Sequence, residues 1–222
     1  MIALIGDIHG NFKFLKSKVT ELVKEHGEIP IIQVGDFGFW PGLREQYTPP
    51  PSSVLFIDGN HDDCEALIGL PPFEWEKPVE LWPNAIYVPR ATVLVVDGKN
   101  VLFMGGAKSV DRQYRRKRIG VNSWTEEEVI RSRDYLQASL NTAEKKIDLM
   151  VTHTPPQWMV DKYFGPPLSF GHSPDWKDPS AQFVEDLWKV ADCPPLYCGH
   201  MHTAITDGVC RILGIEEVAL HE

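Results

Sequence analysis

The apolar positions of the chain form short runs that alternate with segments of helical periodicity. Runs at 2–5 (IALI), 31–35 (IIQVG) and 54–57 (VLFI) contain few polar residues, which predicts strands buried on both faces. Between the first two runs, Asn11 can cap a helix. The apolar positions of that helix keep helical spacing: Phe12, Leu15, Val19, Leu22 and Val23. The N-terminal part therefore predicts a β-α-β-β order, which is typical of α/β proteins.

The middle of the chain shows a different pattern. Runs at 92–96 and 101–106 flank an Asp-Gly turn and predict a β-hairpin. Thr125 and Glu128 have the spacing of a capping box, which predicts a helix that runs to about Asn141.

The C-terminal part continues the alternation of strands and helices. Three further apolar runs predict strands: 148–151, 195–198 and 209–215. Asp178 precedes a proline, which predicts the start of a helix. Segments 41–53 and 154–179 are rich in proline, glycine and aromatic residues, so we expect ordered loops that cover a site.

Polar residues follow five of the predicted strands at the point where each strand ends. The five segments are GDIHG at 6–10, GDFG at 35–38, DGNHD at 58–62, THT at 152–154 and GHMH at 199–202. Functional sites in open α/β sheets form at the carboxyl ends of strands. We therefore expect these segments to converge, although they are far apart in the sequence.

The converging segments carry metal-binding side chains. Seven donors stand out: Asp7, His9, Asp36, Asn60, His153, His200 and His202. A mixture of carboxylate, imidazole and amide groups suits manganese, iron or zinc. Seven donors are too many for one ion, but a bridging carboxylate would serve two ions about 3.5–4 Å apart. Two such ions would polarise a phosphate and generate a metal-bound hydroxide, which predicts a phosphate-ester hydrolase.

The order of these motifs resembles the calcineurin-like metallophosphoesterase superfamily. The resemblance extends from Asp7 to His202, and GGAKSVDR at 105–112 is similar to small phage or bacterial members. It implies an α/β fold, a four-layer αββα sandwich of two mixed β-sheets flanked by helices. Residues 1–222 would form one such domain.

The resemblance also implies a role for each matched residue. The first ion would be held by Asp7, His9 and His202. The second would be held by Asn60, His153 and His200. Asp36 would bridge the two ions, and His61 would be the catalytic residue that protonates the leaving group or stabilises its charge. Asp62 could orient His61 or have a structural role.

One segment departs from the family pattern. Many members carry GDxxD followed by arginine, where the second Asp orients the catalytic histidine and the arginine clamps the phosphate. Here Phe39 and Trp40 occupy those two positions. A dianionic monoester benefits most from an arginine clamp, so its loss favours phosphodiester substrates. Arg112 or Arg115 could supply a substitute clamp, and Trp40 could stack on a nucleobase.

The sequence therefore predicts a phosphodiesterase with two divalent ions, manganese above all, although iron and zinc also suit the ligands. We expect a small phosphate ester as substrate, in particular a nucleotide diester, cyclic ones included. A phosphomonoesterase is the alternative. A metal-free scaffold ranks below both, because no ligand position is missing. The net charge of −9 disfavours a nuclease for long DNA or RNA, although residues 111–118 form a basic stretch.

Composition supports an ordinary globular protein. The 222 residues are 43% hydrophobic and 24% charged. No apolar run approaches the roughly 20 residues of a membrane span, and the N-terminus lacks the pattern of a signal peptide. Four cysteines form no CxxC pair, which favours reduced thiols. We therefore expect a cytoplasmic protein without membrane association; the oligomeric state stays open.

Overall fold

The computed structural model describes residues 1–69, 77–115 and 125–222. The strands of these residues are β1 (Ile2–Ile5), β2 (Ile31–Gln33), β3 (Val54–Phe56), β4 (Val79–Trp82), β5 (Ala85–Tyr87), β6 (Thr92–Val96), β7 (Lys99–Met104), β8 (Leu149–Thr152), β9 (Leu196–Cys198), β10 (Ile205–Asp207), β11 (Cys210–Ile212) and β12 (Val218–His221). The α-helices are α1 (Phe12–His26), α2 (Cys64–Ile68), α3 (Arg112–Arg115), α4 (Ser132–Glu144), α5 (Gln157–Tyr163) and α6 (Pro179–Val190).

The strands form two mixed sheets of similar design. The first has the order β12-β1-β2-β3-β5-β4 and the second the order β10-β11-β9-β8-β7-β6. In the first sheet β1, β2, β3 and β5 are parallel, with β12 and β4 antiparallel at the edges. In the second, β11, β9, β8 and β7 are parallel, with β10 and β6 antiparallel at the edges. The carboxyl ends of the parallel strands can therefore carry a shared site.

Both faces of the central strands are buried, as their apolar runs predict. On β1, Ile2 and Leu4 belong to the core between the two sheets. Ala3 and Ile5, which point to the opposite face, belong to the core that includes the buried face of α1. Helices α4 and α6 cover the outer face of the second sheet. The result is four layers, helix, sheet, sheet and helix, which confirms the predicted αββα sandwich.

Helix α1 forms where the sequence predicts it. Its cap residue Asn11 accepts a hydrogen bond from the backbone N–H of Phe14 at 3.2 Å. The helix ends at Gly27, whose φ of 74° favours glycine. An N-terminal cap of this type contributes about 1 kcal/mol, and the buried stripe of α1 contributes the packing against β1.

The predicted helix from Thr125 to Asn141 is wrong in its first half. Glu126–Glu128 is one turn of 3₁₀ helix, the chain is then extended, and α4 begins at Ser132. The carboxylate of Glu128 accepts hydrogen bonds from Ser109 and is not available as a capping group. Arg90 donates hydrogen bonds to the backbone carbonyls of Glu127, Glu128 and Val129. In a helix, these carbonyls would instead accept hydrogen bonds from backbone N–H groups of the following turn.

Several short elements are absent from the sequence prediction. The predicted loops at 41–53 and 154–179 contain the 3₁₀ turns Pro41–Gln46 and Leu168–Phe170 as well as α5. The predicted strand at 209–215 is confined to the three residues of β11. These elements have three to seven residues, which is too short to show a clear hydrophobic period. Among the helices of the described residues, none is long and apolar enough to cross a membrane.

Candidate metal centre

The loops that follow β1, β2, β3, β8 and β9 meet at one edge of the sandwich. All seven predicted metal donors lie in these loops, and the contacts below show that they come together. Four of them adopt a positive φ: His9 (44°), Asp36 (55°), His200 (68°) and His202 (56°). This conformation is uncommon for residues other than glycine and is often found at functional sites.

Two glycines allow the loops to approach closely. A Cβ atom on Gly199 would lie 1.9 Å from Oδ1 of Asp7, and one on Gly59 would lie 2.1 Å from Oδ1 of Asp36. No side chain fits at these distances. Glycine at both positions therefore lets backbone pack directly against the two carboxylates.

One group of donors consists of Asp7, His9, Asp36 and His202. Each offers one ligand atom, and these four atoms lie within 4.8 Å of one another. The Nε2 atoms of His9 and His202 are 2.9 Å apart. His202 Nε2 is 3.4 Å from Asp7 Oδ2, and His9 Nε2 is 3.8 Å from Asp36 Oδ2.

Two buried carboxylate atoms in this group suit a cation. Asp7 Oδ1 and Asp36 Oδ2 have no hydrogen-bond partner within the described structure. A buried polar atom without a partner costs about 1–3 kcal/mol, and a bound cation would remove that cost. Burial and the neighbouring charge of Asp36 raise the pKa of Asp7 well above its usual range. Burial also opposes ionisation of Asp36, but the surrounding imidazoles, above all that of His153, lower its pKa.

A second group of donors consists of Asn60, His153 and His200. His153 Nε2 lies 3.0 Å from Asn60 Oδ1, and the rings of His153 and His200 are 5.1 Å apart. His153 Nδ1 lies 2.9 Å from the carbonyl of Val34. A carbonyl oxygen can only accept, so Nδ1 carries a ring proton, and in the neutral ring the lone pair of Nε2 could bind a metal together with Asn60 Oδ1. Burial lowers the pKa of His200 well below its usual value, which favours the neutral, metal-binding form.

Asp36 belongs to the first group and also contacts the second. Its Oδ2 faces His9 at 3.8 Å, and its Oδ1 is 3.5 Å from His153 Nε2. Oδ1 also accepts a hydrogen bond of 2.7 Å from the backbone N–H of His61. One carboxylate thus contacts donors of both groups, which is the arrangement that a bridging ligand requires.

A comparison with protein families agrees with this geometry. Residues 1–204 match the family model of the calcineurin-like phosphoesterases. The chain belongs to the calcineurin-like phosphoesterase family. It is therefore a metal-dependent phosphoesterase, of a family that uses two divalent ions, and the resemblance inferred from the motifs is confirmed. A comparison with curated proteins found no match.

A buried network fixes the amide of Asn60 in this phosphoesterase. Asn60 Nδ2 donates to Ser109 Oγ at 3.0 Å, so its Oδ1 faces His153. Ser109 Oγ donates in turn to Glu128 at 2.7 Å and accepts from Arg115. The hydroxyl therefore uses its one donor and both acceptor sites. Ser109 lies within the GGAKSVDR motif at 105–112, which is the signal that the sequence offers for its place at the site.

The two arginines proposed as a phosphate clamp lie in the same network. Arg115 is buried and donates to the backbone carbonyl of Asn60 at 2.7 Å. Its Nη1 lies 3.6 Å from Glu128, and Arg112 Nε donates to Glu128 at 2.8 Å. The rest of the predicted basic stretch, residues 116–118, lies outside the described residues.

His61 is fixed through its backbone. Its N–H donates to Asp36, and its carbonyl accepts a hydrogen bond of 2.7 Å from the indole N–H of Trp40. Trp40 is only 6% exposed, so its ring packs in the protein interior. The carboxylate of Asp62 accepts from the backbone N–H groups of Gly38 and Gly59 at 2.7 and 2.8 Å. These bonds give Asp62 a structural role, joining the loops that carry Asp36 and His61.

Proposed function

We propose that this protein is a phosphodiesterase with two metal ions that hydrolyses small phosphodiesters, nucleotide diesters in particular. The observation that carries the proposal is the position of Asp36 between two separate groups of donors. The buried oxygen atoms of Asp7 and Asp36 that lack hydrogen bonds support it, because cations would satisfy them.

Each donor group would hold one ion. The first ion would be bound by Asp7, His9 and His202, and the second by Asn60, His153 and His200. Asp36 would bridge them. Ions held there would supply polarisation of the phosphate and a water molecule with a lowered pKa, which is a nucleophile near neutral pH. The mixture of carboxylate, imidazole and amide donors suits manganese, which we expect to support activity best.

His61 would act on the leaving group. Its ring is 5.2 Å from that of His9 and lines the cleft next to the donor groups. Two backbone hydrogen bonds hold the residue in place on the loop after β3. From this position the imidazole can donate a proton or a hydrogen bond to the oxygen of the departing alcohol.

The preference for a diester rests on charge. Phe39 and Trp40 occupy the positions where many relatives carry an aspartate and an arginine, and Trp40 is buried. Arg112 and Arg115 both form ion pairs with Glu128, which compensates part of their charge. A dianionic monoester gains more from arginine clamps than a diester with a single negative charge. A substrate-binding role for Arg112, Arg115 or Trp40 stays a prediction.

Paired chromogenic substrates test the proposal. Bis(p-nitrophenyl) phosphate and p-nitrophenyl phosphate share a leaving group and differ in charge. With manganese present, we expect a higher kcat/KM for the diester. A large excess of monoester turnover would contradict the diester preference and favour the phosphomonoesterase alternative. A subsequent screen of cyclic nucleotides, dinucleotides and nucleotide monoesters would identify the natural substrate class.

A further inference from the structure

We propose that the cleft beside the metal centre binds an aromatic part of the group esterified to the phosphate, such as the base of a nucleoside or an aryl ring. This inference rests on the proposed function, because it concerns the same site. It adds a substrate feature that the metal ligands do not determine. The observations that carry it are the volume, the lining and the fixed aromatic rings of the cleft.

The cleft connects directly to the donor groups. It has a volume of about 560 Å³, and Asn60, His61, His200 and His202 line one end. Binding sites for small molecules commonly have volumes of roughly 300–1000 Å³. A phosphate at the metal end would therefore leave room for one sizeable organic group in the rest of the cleft.

The rest of the cleft is largely apolar and aromatic. Its wall includes Val160, Phe164, Phe170, Trp176 and Met201, from α5 and from the loops after α5 and β9. Phe170 is 39% exposed, so part of its surface is accessible to a ligand in the cleft. Exposed aromatic rings next to a catalytic centre are suited to stacking against a planar ligand.

Trp176 is held in place before any ligand binds. The ammonium group of Lys108 lies 4.6 Å from the centre of its ring, and the ring of His172 lies 5.1 Å away. Lys108 also donates to the carbonyl of Lys177 at 3.0 Å, and His172 Nε2 lies 2.6 Å from the carbonyl of Val110. A fixed ring loses little entropy when a ligand stacks on it, which favours binding.

The charges that line the cleft disfavour a second phosphate. Within the described part of the chain, the acidic residues of its lining are Asp111 and Asp178, and no lysine or arginine is present there. Asp178 accepts from the backbone N–H of Ser180 and that of Lys108, at 2.8 and 3.0 Å. A neutral aromatic group therefore suits this cleft better than a polyphosphate chain.

Two phosphonates isolate the contribution of the ring. Phenylphosphonate and methylphosphonate carry the same head group on a stable carbon–phosphorus bond and differ only in the organic group. Binding to the manganese-loaded protein would be measured by calorimetry. We expect phenylphosphonate to bind about five- to one-hundredfold more tightly, the range of one stacked aromatic contact. Equal affinity for the two phosphonates would contradict the inference and leave the two-metal proposal intact.

Variants of the cleft wall test whether the phenyl ring of phenylphosphonate occupies the cleft. Trp176→Leu and Phe170→Ala should each reduce the preference for phenylphosphonate and leave methylphosphonate binding unchanged. The matched control is Leu168→Ala, because Leu168 is exposed in the same loop and is not part of the cleft lining. Circular dichroism and metal content would verify that the variants are folded and loaded.

The outcomes separate the two proposals. A preference that survives both Trp176→Leu and Phe170→Ala would overturn the aromatic cleft. A preference that falls equally in Leu168→Ala would also overturn it, because the effect would then belong to the whole loop. If neither phosphonate binds the manganese-loaded protein, the aromatic cleft is overturned, whereas the metal content of the same samples tests the two-metal proposal separately.

Discussion

The two donor groups of the metal centre differ in how the protein holds them. His153 is fully buried and Asn60 is 3% exposed, and both bond to groups outside the centre. His9 and His202 have side chains that are 30% and 42% exposed. Their Nε2 atoms contact one another and the carboxylates of the site. Asn60 and His153 are therefore held in their binding geometry by the fold, whereas the two exposed histidines of the first group depend more on the ion itself.

This difference has a functional meaning. A ligand fixed by hydrogen bonds beyond the ion loses little freedom when the metal binds, which raises affinity. A more exposed group allows water, substrate and ions to exchange. We therefore expect the second ion, at Asn60 and His153, to bind more tightly than the first.

Removal of the residue between the two groups should have the largest effect. Asp36→Ala deletes the carboxylate that contacts both, so we expect loss of bound metal at both positions and activity at background level. Metal analysis of the purified variant and turnover of the diester would measure this. Two ions per chain with substantial activity in Asp36→Ala would show that Asp36 does not bridge the groups.

Loss of the His61 side chain should affect turnover and spare both groups. His61→Gln removes the proposed acid and keeps the backbone bonds of the loop. We expect a decrease in kcat of about 10²- to 10⁴-fold with unchanged metal content, the range for general acid–base catalysis. The decrease should be smaller for substrates with good leaving groups, which need less proton donation.

A loss of metal in His61→Gln would contradict this role. It would mean that His61 is itself a metal ligand, in addition to the two donor groups described above. The His61→Gln measurement on good and poor leaving groups therefore needs metal analysis of the same samples.

The network behind Asn60 should affect one group only. Ser109→Ala removes the acceptor that orients the Asn60 amide, so Oδ1 no longer has a fixed direction. Loss of such a positioning partner typically costs about 10- to 100-fold in metal affinity. We expect this loss for the second ion, measured by manganese titration, with affinity for the first ion unchanged.

A control distinguishes positioning from general destabilisation. Ser139→Ala also removes a serine hydroxyl, one that bonds within α4 to the carbonyl of Tyr135. This variant should bind both ions with native affinity. Equal weakening of both ions in Ser109→Ala would indicate a structural effect and contradict the positioning role.

The metal ligands were accessible to sequence reasoning, whereas the bonds that support them were not. Each ligand follows an apolar strand, and every ligand except His153 has a glycine within three residues, which is a local pattern in the sequence. The support of Asn60 is not local, because Ser109 is 49 residues away and Glu128 a further 19. The same long-range bonds explain why the predicted helix from Thr125 is wrong. Likewise, the burial of Trp40 depends on packing and has no signature in its own segment.

The smallest expected effect concerns the order in which the ions leave. During dialysis against a weak chelator, we expect the ion at His9 and His202 to be lost first and the ion at His153 later. Two phases in the metal content would follow, because exposed ligands allow the chelator to reach their ion directly. Ser109→Ala should merge the phases by weakening the buried group, while Ser139→Ala should retain them. Release of both ions in one phase from the native protein would contradict this prediction. It would mean that the shared carboxylate of Asp36 makes the two ions leave together, despite the different exposure of their ligands.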